Sequence, residues 1–392
     1  MAEALLSGKR RPFQGLTPAA VLLEARAFLA LVVIFAVFSF LAPAAFPTLS
    51  NIIVMCQQVS VYAILAIGML VVIMDGGIDL SVGSTLGLSG MVAGLALQGF
   101  PVGGVILYPP VWVVVVLAVA AGALVGLLNG VLVARLNVAP FVATLGTMYV
   151  VRGLAQLTTN GLTVNNLGGK EELGNTGFAW LGFNSILGIP VGVWIMVLVS
   201  LAASLLLSRT VYGRWLYAQG GNRRAAELSG VPVRKVSVRA YVIAGVCAAI
   251  AGVILTSELT SAGPTQGTSY ELTAIAAVVI GGASLMGGTG NVRGTLLGAF
   301  VIGFLAAGLT IVGISAYVQT VFTGAVIVLA VLLNGIQLAL AQGSQGRPGD
   351  TAGRRRTTGG RTGRRRESRH RERRLTAGTC SPKRRRGNRY VP

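Results

Sequence analysis

Between Phe28 and Ala341 the chain is a succession of apolar runs, many of them about 20 residues long, parted by short polar breaks. A helix of that length rises about 1.5 Å per residue and matches the roughly 30 Å hydrocarbon layer of a bilayer. Ten runs can be placed: Phe28–Ala45, Ile52–Met74, Leu80–Gln98, Val111–Ala134, Val138–Leu157, Ile189–Leu207, Val238–Ser257, Leu272–Ser284, Thr295–Val312 and Tyr317–Ala341. The fold class that follows is all-α, a polytopic membrane protein of about ten transmembrane helices. The eighth run is short and ends in glycine, which reads as partly re-entrant. The first starts late for a secretory leader, and Pro43 and Phe46 interrupt the small-residue pattern of a cleavage site. It is expected to be a retained anchor. The expected division is a cytoplasmic segment 1–27, a membrane domain 28–342 with a cytoplasmic loop at 208–237, and a disordered tail 343–392.

Charge separates these parts. Only 11% of the residues are charged and 53% are hydrophobic, whereas soluble proteins carry about 25% charged residues. From Gly343 onward 17 Lys and Arg face 3 acids, so the tail holds +14 of the net +20. The first 342 residues carry 15 basic and 9 acidic side chains. With the N-terminus inside, ten spans place 13 of those 15 basic residues on the cytoplasmic face, and only Arg152 and Lys170 outside. Both termini are then cytoplasmic. The segment Gly99–Pro110, with its prolines and glycines, reads as a turn.

The stretch Val71–Ser84, VVIMDGGIDLSVGS, sets two carboxylates and a glycine pair between two membrane-grade runs. An Asp at a helix centre costs about 2.5–3.5 kcal/mol on insertion scales. Asp75 and Asp79 therefore belong at an interface or in a polar cavity. The stretch is either a break between two helices bordering a passage or a short loop at the membrane surface. Gly76-Gly77-Ile78-Asp79-Leu80 also reads like Gly281-Gly282-Ala283-Ser284-Leu285, each after a Val-Val-Ile run. This weak internal repeat fits two related halves, as many transporters are built. The competing explanation is that Gly-Gly pairs are common in a chain with 54 glycines.

Several chemistries drop out. The lone histidine, His370, lies in the tail, and the three cysteines are far apart, so no metal or disulfide spacing is visible. No phosphate-binding Gly-Lys-Ser/Thr loop occurs. None of the nine acids before the tail sits at the centre of an expected span, where ion-coupled carriers place such groups. No cofactor and no catalytic residue is expected. A membrane protein that moves solute without these devices is a channel, or it is driven by a partner.

The loop Ser208–Ser237 points to a partner. Gly220-Gly221-Asn222 is expected to break the chain, and Asn222 to cap a short helix, Arg223–Ser229, ended by Gly230 and Pro232. Ala225, Ala226 and Leu228 supply a small apolar face, and Arg223, Arg224 and Glu227 polar contacts. Such a helix suits docking into a groove of another protein. The alternative is a basic loop held inside by lipid electrostatics.

GGIDLSVGS, YGRWLYAQGGNRRAAELSGV and AAVVIGGASLMGGTGNVRGTLLGAFVIG together resemble the permease subunits of bacterial ATP-binding-cassette importers for monosaccharides. This is the ribose, xylose and galactose class, within the larger group that includes branched-chain amino acid permeases. The likeness covers about Phe28–Gln342 in matching order. It implies a transport subunit of the bacterial plasma (inner) membrane that hydrolyses no ATP itself. Its implied partners are an ATP-binding subunit, an extracytoplasmic sugar-binding protein, a second permease copy and the lipid bilayer. By the same resemblance Gly220–Gly230 is the segment that couples to the ATPase, through Gly220, Gly221, Asn222, Arg223, Ala225, Ala226, Leu228, Ser229 and Gly230. Asp75, Gly76, Gly77, Asp79, Ser81, Gly281, Gly282, Gly287 and Gly288 are inner-face residues near the passage. The binding protein is expected on loops such as Thr158–Gly188 and Leu259–Tyr270, and Ala226→Asp is expected to abolish uptake without preventing insertion. Two other readings stand beside this one: the same machinery carrying branched-chain amino acids or another small polar solute, and a passive channel or scaffold.

The tail 343–392 departs from the family pattern. It is a lipid-touching basic tail, an RNA-contacting arm, or sequence without an evolved role. Nucleic acid is not an expected partner of the membrane domain.

Overall fold

In lipid every backbone polar group must be satisfied within the chain, and apolar runs meet that demand as helices. The computed structural model describes residues 26–102, 104–326, 328–329 and 332. Its helices are α1 (Arg26–Leu41), α2 (Leu49–Met74), α3 (Val82–Gln98), α4 (Val111–Ala134), α5 (Pro140–Leu157), α6 (Trp180–Phe183), α7 (Val191–Arg209), α8 (Val211–Gly221), α9 (Arg223–Leu228), α10 (Val233–Leu259), α11 (Tyr270–Ile280) and α12 (Val292–Ile311). Residues 316–326 are also helical. Segment 1–25, the end of the tenth expected span and the tail 343–392 lie outside the described residues.

Among the described residues five helices, α2, α4, α7, α10 and α12, are long and apolar enough to cross a membrane. α1, α3 and α11 are apolar but shorter. The eleven residues of α11 reach only about 16 Å, so the eighth run, expected to be short and ended by glycine, is a short helix.

α2 is the centre of the bundle, and every residue from Ala63 to Met74 is buried. It packs against α10, α11, α12 and α7. α10 also lies along α4, and glycines let the two backbones touch. Gly122, Gly126 and Gly130 stand one turn apart on α4. A Cβ at Gly122 would lie 2.5 Å from the Gly245 carbonyl oxygen, and one at Gly130 would lie 2.8 Å from Val238 Cα. Small residues at such spacing are the usual means of close helix packing in lipid, where no hydrophobic force drives association. The outward faces of α1, α4, α5 and α7 are apolar, with Phe40, Trp112, Leu124, Phe141 and Leu198 exposed.

One end of the bundle carries the long connections. The segment expected as a turn at Gly99–Pro110 contains a two-stranded hairpin, β1 (Phe100–Val102) with β2 (Val105–Leu107), Phe100 opposite Leu107. A smaller hairpin, β3 (Ser185–Ile186) with β4 (Ile189–Pro190), precedes α7. The polar loop 158–188 is folded down rather than free. Val164 pairs with Ala262, Asn175 Nδ2 donates to Leu97 O at 2.9 Å, and Ser257 Oγ donates to Phe178 O at 2.7 Å. Arg152, at the end of α5, donates through Nη1 to Pro264 O at 2.9 Å and to Gln266 O at 2.7 Å.

Candidate functional site

At the opposite end of the bundle three chain-distant segments meet. The first is the end of α2. Gly76 N donates to Ile73 O at 2.9 Å and Gly77 N to Val72 O at 3.0 Å, the pair of bonds that closes a helix when the following residue is left-handed. Gly76 supplies that conformation, with φ +85°. α11 ends the same way: Gly282 N donates to Val279 O and Ala283 N to Val278 O, with Gly282 at φ +95°. The structural counterpart of Gly76 is thus Gly282, one residue beyond its partner in the Gly-Gly alignment. What the two segments share is the way the helix is closed.

Asp79 and Ser81 hold the loop that follows. Asp79 Oδ1 accepts from Ser81 N at 2.9 Å, from Ser81 Oγ at 2.6 Å and from Asn129 Nδ2 at 3.4 Å. Asn129 Nδ2 also donates to Ser81 Oγ at 2.7 Å, which ties the loop to α4. Thr144 Oγ1 donates to Ile78 O at 3.1 Å and ties it to α5. Asp79 is 1% exposed, and burial raises its carboxyl above the usual range, opposed by these Ser81 and Asn129 bonds. Residues 75–81 are a short, mostly buried link between α2 and α3, tied to α4 and α5.

The second segment is α8. The loop expected at Ser208–Ser237 is largely helical, because Thr210 caps α8 by accepting from Gly213 N at 3.2 Å, and Tyr212, Leu216 and Gln219 bury one face. Gly220 and Gly221 do not break the chain. They complete the last turn of α8, and the break falls at Asn222, φ −155°. Gly220 is required for space: a Cβ there would collide with the backbone of Met74 and Gly288. Gly221 has nothing near its missing side chain.

The third segment is 281–291. Gly288 N donates to Met74 O at 3.0 Å, and Tyr217 OH to Gly290 O at 2.8 Å. Gly287 and Gly288 are left-handed, at φ +91° and +71°. A Cβ on Gly287 would lie 3.1 Å from Gly76 Cα, and one on Gly288 would lie 2.7 Å from Gly221 N. Gly76, the pair Gly220-Gly221 and the pair Gly287-Gly288 therefore form one backbone-to-backbone junction, while Gly77 lies against the side chain of Tyr241. Gly281 belongs elsewhere, against Gly294 where α11 crosses α12.

One side chain spans the junction. Gln219 Nε2 donates to Asp75 Oδ1 and, at 3.1 Å, to Ser237 Oγ, linking α8, α2 and α10. Burial pushes the Asp75 carboxyl up to about 7, with the Ser237 hydroxyl and Arg223 pulling it down. The folded chain thus holds this proton more tightly than an unfolded one. Its contribution to stability is complete at low pH and is lost as pH rises from about 4 to about 7. Asp75→Asn is expected to remove that slope. The check is thermal unfolding of the purified permease across the range, and an unchanged slope would contradict the buried proton.

Beyond the junction, α9 stands as expected. Asn222 Oδ1 accepts from Ala225 N at 3.0 Å. Gly230, φ +84°, closes the far end, donating to Glu227 O, while Val231 N donates to Ala226 O. The apolar face is divided, however. Ala226 is 5% exposed and packs inward, while Leu228 is 76% exposed. Ala226→Asp would therefore bury a carboxylate within the chain itself, which makes it a test of folding. The Arg224–Glu227 pair, 3.0 Å apart, is exposed on both sides and adds little stability. Among the described residues no cluster of three His, Cys, Asp or Glu side chains could hold a metal ion.

Gln219, Ser237, Asn129, Thr144 and Tyr217 were not singled out from the sequence. The one local signal was the spacing of Tyr212, Leu216 and Gln219, which puts a polar amide on the buried face of α8.

A glycine-packed bundle with membrane-length helices and a short capped helix beyond a junction of three segments has the form of a membrane permease. The chain belongs to the family described as branched-chain amino acid transport system / permease component, whose model matches residues 51–331. It is 45% identical over 313 residues to the ribose import permease protein of Escherichia coli K12, covering 80% of this chain and 94% of that one. It is 44% identical over 308 residues to the ribose import permease protein of Bacillus subtilis 168, covering 78% and 91%. The galactose/methyl galactoside import permease protein of E. coli K12 is 33% identical over 332 residues, 81% and 95% of the two chains. No solved structure matches the chain. The protein is a multi-pass membrane permease, and its relatives are named as transport proteins rather than enzymes.

Proposed function

We propose that this chain is the membrane subunit of an ATP-binding-cassette importer for a monosaccharide. The observation that carries the reading is identity of 33–45% with ribose and galactose import permeases and a D-allose transport system permease over 90% or more of their length. In this reading about ten helical segments, the eighth of them the short α11, carry the chain between the two faces of the plasma membrane with both termini inside, and two copies form the passage. A separate ATPase subunit docks on α9, and its closure is transmitted through Gly220-Gly221 to α2 and the 281–291 segment. An extracytoplasmic binding protein delivers the sugar to the loops 158–188 and 259–270. The Val164–Ala262 pairing supports a shared docking surface there, since it joins the two loops.

The test is uptake by vesicles containing the permease, its ATPase and its binding protein. Ribose, allose and galactose are supplied separately, with leucine as the competing solute class. ATP-dependent accumulation of at least one sugar is expected, and none by the permease alone. Accumulation of leucine without any sugar would transfer the reading to amino acids, and sugar leakage through the permease alone would make it a channel.

A further inference from the structure

A cavity of about 510 Å³ opens between α2, α10, α11 and α12, within the roughly 300–1,000 Å³ of small-molecule sites. It lies at the end of α2 away from the glycine junction. Tyr62, in its wall, is thirteen residues before Asp75, or about 20 Å along the helix.

Its lining has a distinct chemistry. Tyr62 and Tyr270 pack ring against ring, centroids 4.9 Å apart and planes at 56°. Beside them stand Glu258 of α10 and Gln58, which is exposed at the wall. Glu258 lines the wall with its carboxylate only partly open, since Oε1 is closed off from water on the side of Gly192 of α7. No Lys, Arg or His is among the lining residues. A phosphorylated sugar or an amino-acid carboxylate would enter beside Glu258 with no counter-charge, an arrangement that desolvation penalises. A neutral sugar meets every condition. Its C–H face lies on an aromatic ring, its hydroxyls donate to a carboxylate, and an amide serves its remaining oxygens.

We propose that this cavity is a transit site for a neutral sugar, held against the Tyr62–Tyr270 pair by Glu258 and Gln58. It rests on the sugar-import reading and adds to it a selection by charge within the permease itself.

The test has two readouts. Saturation-transfer NMR on the solubilised permease uses ribose, allose and galactose as probes, with ribose 5-phosphate as the anionic comparison. Uptake is measured in the complete importer. Transfer to the ring C–H protons of the imported sugar is expected, with none to ribose 5-phosphate. Tyr62→Ala and Glu258→Gln are expected to lose that transfer and to lower uptake about tenfold. Gln58→Ala, at an exposed position, guards against a folding failure and is expected to weaken the transfer severalfold. Wild-type transfer in these variants, or equal transfer to ribose 5-phosphate, overturns the cavity assignment while sugar uptake by the wild type stands. A wild-type importer that takes up none of the three sugars overturns the import reading and the site with it.

Discussion

Gly220→Ala should abolish coupled uptake, while Gly221→Ala, one residue along, should leave it within about twofold of wild type. The two positions are alike in sequence and in helix. They differ in what a methyl group would meet. At Gly220 it would collide with the backbone of Met74 and Gly288, whereas at Gly221 it would meet nothing within 4 Å. Backbone cannot swing aside as a long side chain can, so α8 must move off α2 and off the 281–291 segment. Overpacking of this kind costs about 1–3 kcal/mol. It would also part Gln219 from Asp75 and Ser237, leaving a buried amide and carboxyl short of partners. At Gly221 alanine is a better helix former than glycine by about 1 kcal/mol. The measurement is paired: thermal stability of each purified variant, and sugar-stimulated ATP hydrolysis by the complete importer. Equal behaviour of the two variants would remove the junction as a mechanical element.

These two glycines also mark where the sequence is silent. A glycine serves either for a left-handed backbone or for the absence of a Cβ, and one chain of letters does not separate the two uses. Gly76, Gly230, Gly287 and Gly288 serve the first, with positive φ. Gly220 serves the second, inside α8, where the Gly-Gly pattern alone predicts a chain break. Elements whose cause is local were legible. Val111–Ala134 is a single apolar run and forms α4 over the same residues, and Asn222 with Gly230 brackets a helix through caps three or four residues away. Features whose cause is distant were not. The partner of Asp75 is Gln219, 144 residues on, and no periodicity connects them. The shortness of α11 was legible because glycine ends the run Leu272–Ser284, and the left-handed Gly282 does close the helix, which begins two residues earlier at Tyr270. Of the candidate residues, Gly76, Gly220, Gly221, Gly287 and Gly288 come together, Gly77 and Gly281 stand apart, and of Ala226 and Leu228, expected on one face, the first is buried and the second exposed.

Leu228→Asp should bring uptake and sugar-stimulated ATP hydrolysis to background while the permease accumulates at its normal level. Leu228 is the one large apolar side chain on α9, and it is 76% exposed with Arg223, Arg224 and Glu227 exposed around it. An exposed leucine framed by charge is the composition of a docking anchor, where a buried apolar group inside a polar rim carries much of the binding energy. Covering it with an ATPase groove would contribute about 1.5–3 kcal/mol, and placing a carboxylate in that groove would add a desolvation cost. Within the isolated permease the same substitution touches little, and exposed changes of this kind usually move stability by less than about 0.5 kcal/mol. Ala226→Asp is the contrasting variant. Its carboxylate would be forced into the chain's own packing, and the expected result is loss of folded protein before any question of docking arises. The pair separates a surface that binds from a surface that is merely packed. If Leu228→Asp sustains wild-type uptake, an ATPase does not seat on α9, and the proposed route from α9 to α2 is wrong.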